Sequence, residues 1–206
     1  MQNRTNQFSS LKTDGLHKKK RIYERFLKRP MDFILSTFAI IFFSPILIIV
    51  SYFVRIKLGS PILFKQKRPG LNEKIFTMYK FRTMTDEKDV NGQLLPDNIR
   101  LTKFGRMLRS TSLDELPELF NIIKGDMSIV GPRPVIEREV RLLELRKECN
   151  VDSILPGITG LAQINGRDNI DDYEKVKYDF EYLSKRNLVL DIKIIINTVL
   201  KVAKSE

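Results

Sequence analysis

The run Phe33–Val54, FILSTFAIIFFSPILIIVSYFV, constrains this chain more than any other segment. It carries no charge over about 22 residues, and a straight helix of that length measures roughly 33 Å, just enough to span a bilayer. Ser44-Pro45 sits at its centre. Proline removes a helical hydrogen bond and collides with the preceding turn, so a kink or break is expected there. Both flanks are basic: Lys28 and Arg29 before, Arg55, Lys57, Lys65, Lys67 and Arg68 after. Basic flanks stay on the cytoplasmic side of a membrane. Two readings fit, a kinked helix that crosses and a helix bent at Ser44-Pro45 that enters and leaves by one face; the paired flanks favour the second. The run starts late and lacks a small-residue cleavage site, which argues against a signal peptide.

The charge balance points the same way. The chain has 36 Lys+Arg against 25 Asp+Glu, a formal net charge of +11. Such an excess attracts nucleic acid, anionic headgroups or phosphorylated substrates, and its place beside the apolar run selects the membrane surface over nucleic acid. Cys149 is the only cysteine and His17 the only histidine. No disulfide within the chain, zinc cluster or Ser-His-Asp arrangement is therefore expected. Acid–base or covalent chemistry falls to carboxylates, Lys or Tyr.

The remaining pattern predicts a small α+β domain, mostly helical. Residues 1–21 read as a disordered basic extension, 22–58 as the membrane-helix region and 59–206 as a cytoplasmic domain. Residues 60–84 alternate around turn chemistry at Arg68-Pro69-Gly70-Leu71-Asn72 and read as a β-hairpin. Helices are expected at roughly 101–109, 113–124, 134–148 and 171–186, with 85–100 and 150–169 as irregular loops. In 188–204 apolar residues recur at helical spacing among lysines. This suits an amphipathic helix lying in the membrane interface, and equally a core helix of the domain.

Three stretches carry candidate chemistry. In Arg106 to Asn121, Ser112 and Glu115 fit an S-x-x-E capping box, which would place Asp114 and Glu115 in a first helical turn. Arg106 and Arg109 lie just upstream, and a carboxylate in such company is expected to stay ionised, able to attack a phosphorus or hold a divalent metal. In Pro132-Arg133-Pro134 two prolines preset one guanidinium for a phosphate contact. In Pro156 to Arg167 glycines allow close backbone approach, while Gln163, Asn165 and Arg167 offer groups for a base or sugar.

Together these segments resemble the bacterial sugar transferase family, the small monotopic phosphoglycosyl transferases. The matching pieces are Ser44-Pro45, Arg68-Pro69-Gly70, Tyr79 to Met84, Arg109 to Asn121, Lys124 to Ser128, Val130 to Pro134, and Pro156 through Arg167, in order over roughly 22–204. The resemblance implies a re-entrant helix in one leaflet and a place at the cytoplasmic face of the bacterial inner membrane. It implies that Asp114 attacks the β-phosphate of a UDP-sugar and releases UMP. The sugar-phosphate then passes from the aspartate to polyprenol phosphate (undecaprenyl phosphate). It implies Mg²⁺ near Asp114, with Glu115 assisting. Arg133 would grip a phosphate, Lys80 and Arg109 would be pocket cations, and Gln163, Asn165 and Arg167 would contact nucleotide or sugar. Leu161 departs from the aromatic residue that many members carry before Ala-Gln, which bears on packing or sugar choice. The rival reading is a non-catalytic, membrane-tethered protein that binds lipid or nucleic acid. The sequence leaves the sugar, the pathway and the oligomeric state open.

Overall fold

The computed structural model describes residues 23–166 and 169–204, so the expected extension at 1–21 lies outside the described residues. A π-helical turn, Tyr23–Lys28, leads into helix α1, Arg29–Leu58, with a proline in its first turn, where no backbone N–H is required. The helix runs on through Pro45 to Leu58 rather than ending at the expected break. The reason is local. Pro45 has no N–H for the carbonyl of Ile41, and the Ser44 hydroxyl donates to that carbonyl instead, at 2.8 Å.

The hairpin forms where its alternation places it. Strand β1, Leu63–Pro69, pairs antiparallel with β2, Ile75–Phe81, from Leu63↔Phe81 to Pro69↔Ile75. The turn takes Asn72 and Glu73 through positive φ, and Gly70 sits where a Cβ would lie 2.9 Å from the Phe76 ring. Helix α2 is Asp97–Arg100; α3, Lys103–Ser110, is capped by the Thr102 hydroxyl, which accepts from the Gly105 N–H. Helix α4, Glu118–Lys124, ends at Gly125 in the left-handed region.

The C-terminal half differs from expectation in two places. The helix expected from 134 begins only at Val140, as α5, Val140–Glu148; proline at 134 and the extended bias it imposes on Arg133 delay it. The stretch expected as irregular loop contains strand β4, Gly157–Thr159, and the short helix α6, Leu161–Ile164. Strand β4 runs parallel to β3, Ser128–Val130, and together they form a two-stranded sheet. Helix α7, Asp172–Lys185, starts at an Asp171 cap, and α8 is Leu188–Lys204.

Four apolar clusters make the core, and α1 joins two of them. Near its C-terminal end Val50, Val54 and Leu58 pack with Phe81 and Leu108. Nearer its start Ala39 and Ile40 meet the cluster of Phe76, Met78, Leu119, Ile122 and Met127. Arg29 donates to the carbonyls of Ile122 and Ile123, at 2.6 and 3.2 Å. Both ends of α1 are thus fastened to one domain. Between and around these contacts Phe38, Ile41, Phe42, Ile48 and Ile49 are exposed, more apolar surface than a soluble helix normally shows. Helix α8 has a buried side and an exposed apolar side. Asp191 and Ile194 are wholly buried on one side, while Val189, Ile192, Ile196, Val199 and Leu200 are exposed.

Candidate active site

Three elements bring the charged residues together. Lys80 comes from the end of β2, Asp114 and Glu115 from a 3₁₀ turn at Leu113–Glu115, and Glu118 from the first turn of α4. Buried Asn121 aligns these parts: its Oδ1 accepts from the Tyr79 N–H at 3.1 Å, and its Nδ2 donates to the Thr77 carbonyl at 2.7 Å. One side chain therefore ties α4 to the strand that carries Lys80.

The expected capping box is absent. Ser112 lies in the left-handed region, φ 54°, and makes no side-chain cap bond; a capping residue needs extended backbone. Helix α4 begins only after Pro117, whose ring cannot supply a backbone donor. Asp114 and Glu115 consequently sit on a tight turn in front of the helix. A non-glycine residue at positive φ, such as Ser112, is strain of the kind that clusters at functional sites.

Lys80 Nζ lies 2.7 Å from Glu115 Oε1 and 3.1 Å from Glu118 Oε1, and Arg133 Nη1 lies 3.6 Å from the same Glu115 oxygen. Arg109 is exposed, and its Nε donates to Thr83 Oγ1 at 3.1 Å. Asp114 is buried, and this burial pushes its carboxyl up, aided by the adjacent charge of Glu115 and opposed by Lys80 and Arg109. Cationic company alone predicts an ionised Asp114; desolvation works against that. Burial raises Glu118 further, to about 7, despite the attraction of Lys80.

Several participants escape the sequence reading. Glu118 was hidden as one more acid in a helix start, though it lies one helical turn from Asp114. Arg68 Nη1 donates to the Pro134 carbonyl at 3.3 Å and links the hairpin to the Pro-Arg-Pro turn. Arg146 Nη1 donates to the Arg133 carbonyl at 2.8 Å, while its Nε and Nη2 bind Asp179 Oδ2 at 2.9 and 2.7 Å. The preset Arg133 is therefore held by a buried ion pair as well as by its prolines.

Two cavities flank this cluster and share Arg133 and Gln163 in their walls. Both amide atoms of Gln163 are buried without a hydrogen-bond partner, an arrangement that costs stability unless a ligand completes it. Asn165 lines neither cavity; its Nδ2 donates back to the Leu161 carbonyl at 2.8 Å. Arg167 lies outside the described residues.

An exposed apolar helix pair beside a buried acid–cation cluster defines a membrane-seated protein with a site suited to anionic ligands. Residues 23–205 match the family described as bacterial sugar transferase, and the chain belongs to that family. It is 49% identical over 180 residues to an uncharacterized sugar transferase, EpsL, of Bacillus subtilis, covering 87% of this chain and 89% of the relative. It is 42% identical over 185 residues to a UDP-glucose:undecaprenyl-phosphate glucose-1-phosphate transferase of Klebsiella pneumoniae, covering 84% of this chain and 39% of the relative. It is 38% identical over 195 residues to an undecaprenyl-phosphate galactose phosphotransferase of Salmonella typhimurium, covering 84% of this chain and 40% of that one. The chain thus spans well under half the length of these last two relatives, whose names state a reaction.

Proposed function

We propose that the chain transfers a sugar-1-phosphate from a UDP-sugar to undecaprenyl phosphate, an early membrane step of glycoconjugate or polysaccharide synthesis. The observation that carries this reading is the cluster of buried Asp114 and Glu118 and half-buried Glu115 against Lys80 and Arg133, in a chain whose relatives bear such transferase names. Phosphoryl transfer asks chiefly for positioning and charge neutralisation, which a fixed set of cations around one carboxylate provides.

In the first half-reaction an Asp114 carboxylate oxygen bonds to the β-phosphorus of the donor. The bond from that phosphorus to the bridging oxygen breaks, and UMP leaves. In the second, an oxygen of the lipid phosphate attacks the same phosphorus and the aspartyl oxygen departs, yielding polyprenyl-diphosphate-sugar and the original carboxylate. Arg133 and Lys80 hold phosphate oxygens, Arg109 adds charge at the rim, and Glu115 keeps Lys80 and Arg133 aimed. Gln163, Asn165 and Arg167 remain the proposed nucleotide or sugar contacts, with Gln163 the one that belongs to the walls of both cavities.

Mg²⁺ fits this oxygen donor set. Asp114 and Glu115 are adjacent oxygen donors on one turn, and Mg²⁺ is commonly held by one or two carboxylates and completed by substrate phosphates. Asp114, with Glu115 beside it, would hold the ion, which supplies neutralisation of the diphosphate.

The chain would sit on the cytoplasmic face as a monotopic protein, with α1 re-entrant and α8 in the interface. Supporting this, Arg29 and Val54 lie toward opposite ends of α1 and both contact the one domain. A crossing helix would have to hold those contacts on two sides of a bilayer. A tag before residue 22 and Lys204 should both resist impermeant reagents applied to intact cells; labelling of one alone would mean that α1 crosses.

The decisive experiment incubates the protein with UDP-sugar labelled in the sugar and β-phosphate, without acceptor. Label should remain covalently on the protein and one UMP should appear per site. Transfer that proceeds only with acceptor present, with no loaded protein, would replace the covalent route by direct displacement.

A further inference from the structure

Pro132, Arg133 and Pro134 supply three consecutive carbonyls, and each is held by a donor from a different element. The Pro132 carbonyl accepts from the Gly157 N–H of β4 at 2.9 Å. The Arg133 carbonyl accepts from Arg146 Nη1 of α5 at 2.8 Å, and the Pro134 carbonyl from Arg68 Nη1 of β1 at 3.3 Å. Each proline also has a fixed φ. The backbone that carries Arg133 is therefore framed on both sides and at its centre. The central tie reaches furthest: Arg146 Nε and Nη2 both donate to Asp179 Oδ2 of α7. Asp179 is 1% exposed and lines neither cavity.

The buried ion pair is not needed to join α5 to α7. Leu142 and Leu145 of α5 already pack with Val176 of α7, and Val135 and Val151 complete that cluster. Against apolar side chains of similar volume, a buried charged pair breaks even or costs stability. What an apolar pair cannot do is aim an N–H at a carbonyl. That matters at Arg133. Its side chain is 34% exposed, so its aim at Glu115, 3.6 Å away, depends on where its backbone end is held. We propose that Arg146 and Asp179 are positioning residues: Asp179 orients the Arg146 guanidinium, and Arg146 fixes the Arg133 carbonyl, so that Arg133 is presented to the phosphate being transferred. This deepens the functional reading above and rests on its assignment of Arg133 as a phosphate contact. A misplacement of about 1 Å at such a group can cost about 10²-fold in rate. Asp179 acts at two removes, through Arg146 and then Arg133.

The test replaces the pair by apolar side chains of similar size, Arg146→Met together with Asp179→Leu, in the detergent-solubilised full chain. No buried charge is left unpaired, so the unfolding temperature should stay level. UMP release from the UDP-sugar, read as donor kcat/KM, should still fall about tenfold or more. In an Arg133→Ala background the same replacement should change the residual rate by less than about twofold, because the side chain it positions is gone. Arg146→Lys is the second variant. It keeps a charge opposite Asp179 and gives up the fork that serves two partners, so it should lose activity in the same direction while remaining folded. A folded double variant with full activity overturns the proposal, and so does a loss that multiplies in full with that of Arg133→Ala. A further readout needs no turnover. In protein carrying isotope-labelled arginine, the Arg133 Nε–H resonance, identified by its absence from Arg133→Lys, should be one sharp line that broadens in the double variant; an unchanged line overturns the proposal. Absence of UMP release by the unsubstituted protein would defeat the functional reading, and the arginine resonance would then decide the positioning claim alone.

Discussion

Two regions of this molecule bury carboxylates among cations, and they are completed differently. Where the start of α1 meets α8, Lys28 Nζ lies 2.6 Å from Asp191 Oδ2 and 3.4 Å from Asp32 Oδ1. Asp191 also accepts from the Tyr182 and Tyr23 hydroxyls, at 2.8 and 2.9 Å, and Asp32 accepts from Ser128 Oγ at 2.7 Å. Every carboxylate there is matched by donors from another element, so the cluster joins α1, β3, α7 and α8 into one body. Around Asp114 the cations converge on Glu115 and Glu118 and stop short of surrounding Asp114. The same residue types make a closed joint in one place and an open, strained turn beside two cavities in the other. Completeness of partners, more than burial, separates a fastening from a site.

The largest expected effect comes from removing one carboxylate charge in each region. Asp114→Asn should lower UMP release by about 10³-fold or more while the unfolding temperature stays level or rises, because a buried charge with incomplete partners has been removed. Asp191→Ala should do the opposite: a loss of about 3–5 kcal/mol of stability, read by thermal unfolding in nanodiscs, because Lys28 is left under-paired. If Asp114→Asn destabilises the fold as Asp191→Ala does, the two regions do not differ in the way argued.

Arg133→Lys tests whether the open region needs a planar cation. It keeps the charge and loses the fork, and should cut donor kcat/KM by about 10- to 100-fold, the scale of one lost bidentate contact. An unchanged value would assign Arg133 a purely electrostatic part.

Glu118 sharpens the comparison through pH. Its carboxyl is raised from 4.5 to about 7, so the folded protein keeps this proton where the unfolded chain has lost it. Its contribution to stability is fully present below pH 4.5 and declines as pH climbs toward about 7. In the same rise the site gains a negative charge beside Lys80, so the donor KM should increase through pH 7. Glu118→Gln should flatten both curves; a KM profile that keeps its bend in the variant would place the titrating group elsewhere.

The smallest effect belongs to Ser44→Ala. It removes the donor to the carbonyl that Pro45 leaves open, and should cost about 0.5–1.5 kcal/mol in nanodiscs with little change in turnover.

Much of this was legible along the chain. The uncharged run, the hairpin around Pro69-Gly70 and the span of the last helix follow from periods and breakers that act over a few residues. Asp114, Glu115, Arg133 and Lys80 were readable as candidates and the fold brings them together. The β3–β4 pair was not. Each strand has three residues, and the glycine-rich stretch reads as loop because its glycines serve contact across the chain: a Cβ on Gly157 would stand 2.1 Å from the Gly131 nitrogen.

By itself the sequence determined where apolar surface must accumulate and which side chains can carry charge chemistry, because hydrophobic periodicity and residue type are local properties. Only the tertiary structure decided which carboxylates end up matched and which, like Asp114, are buried beside cations that pair with their neighbours. That choice depends on partners brought from distant segments, Lys80 to Glu118 and Lys28 to Asp191, and on how much water packing removes from between them.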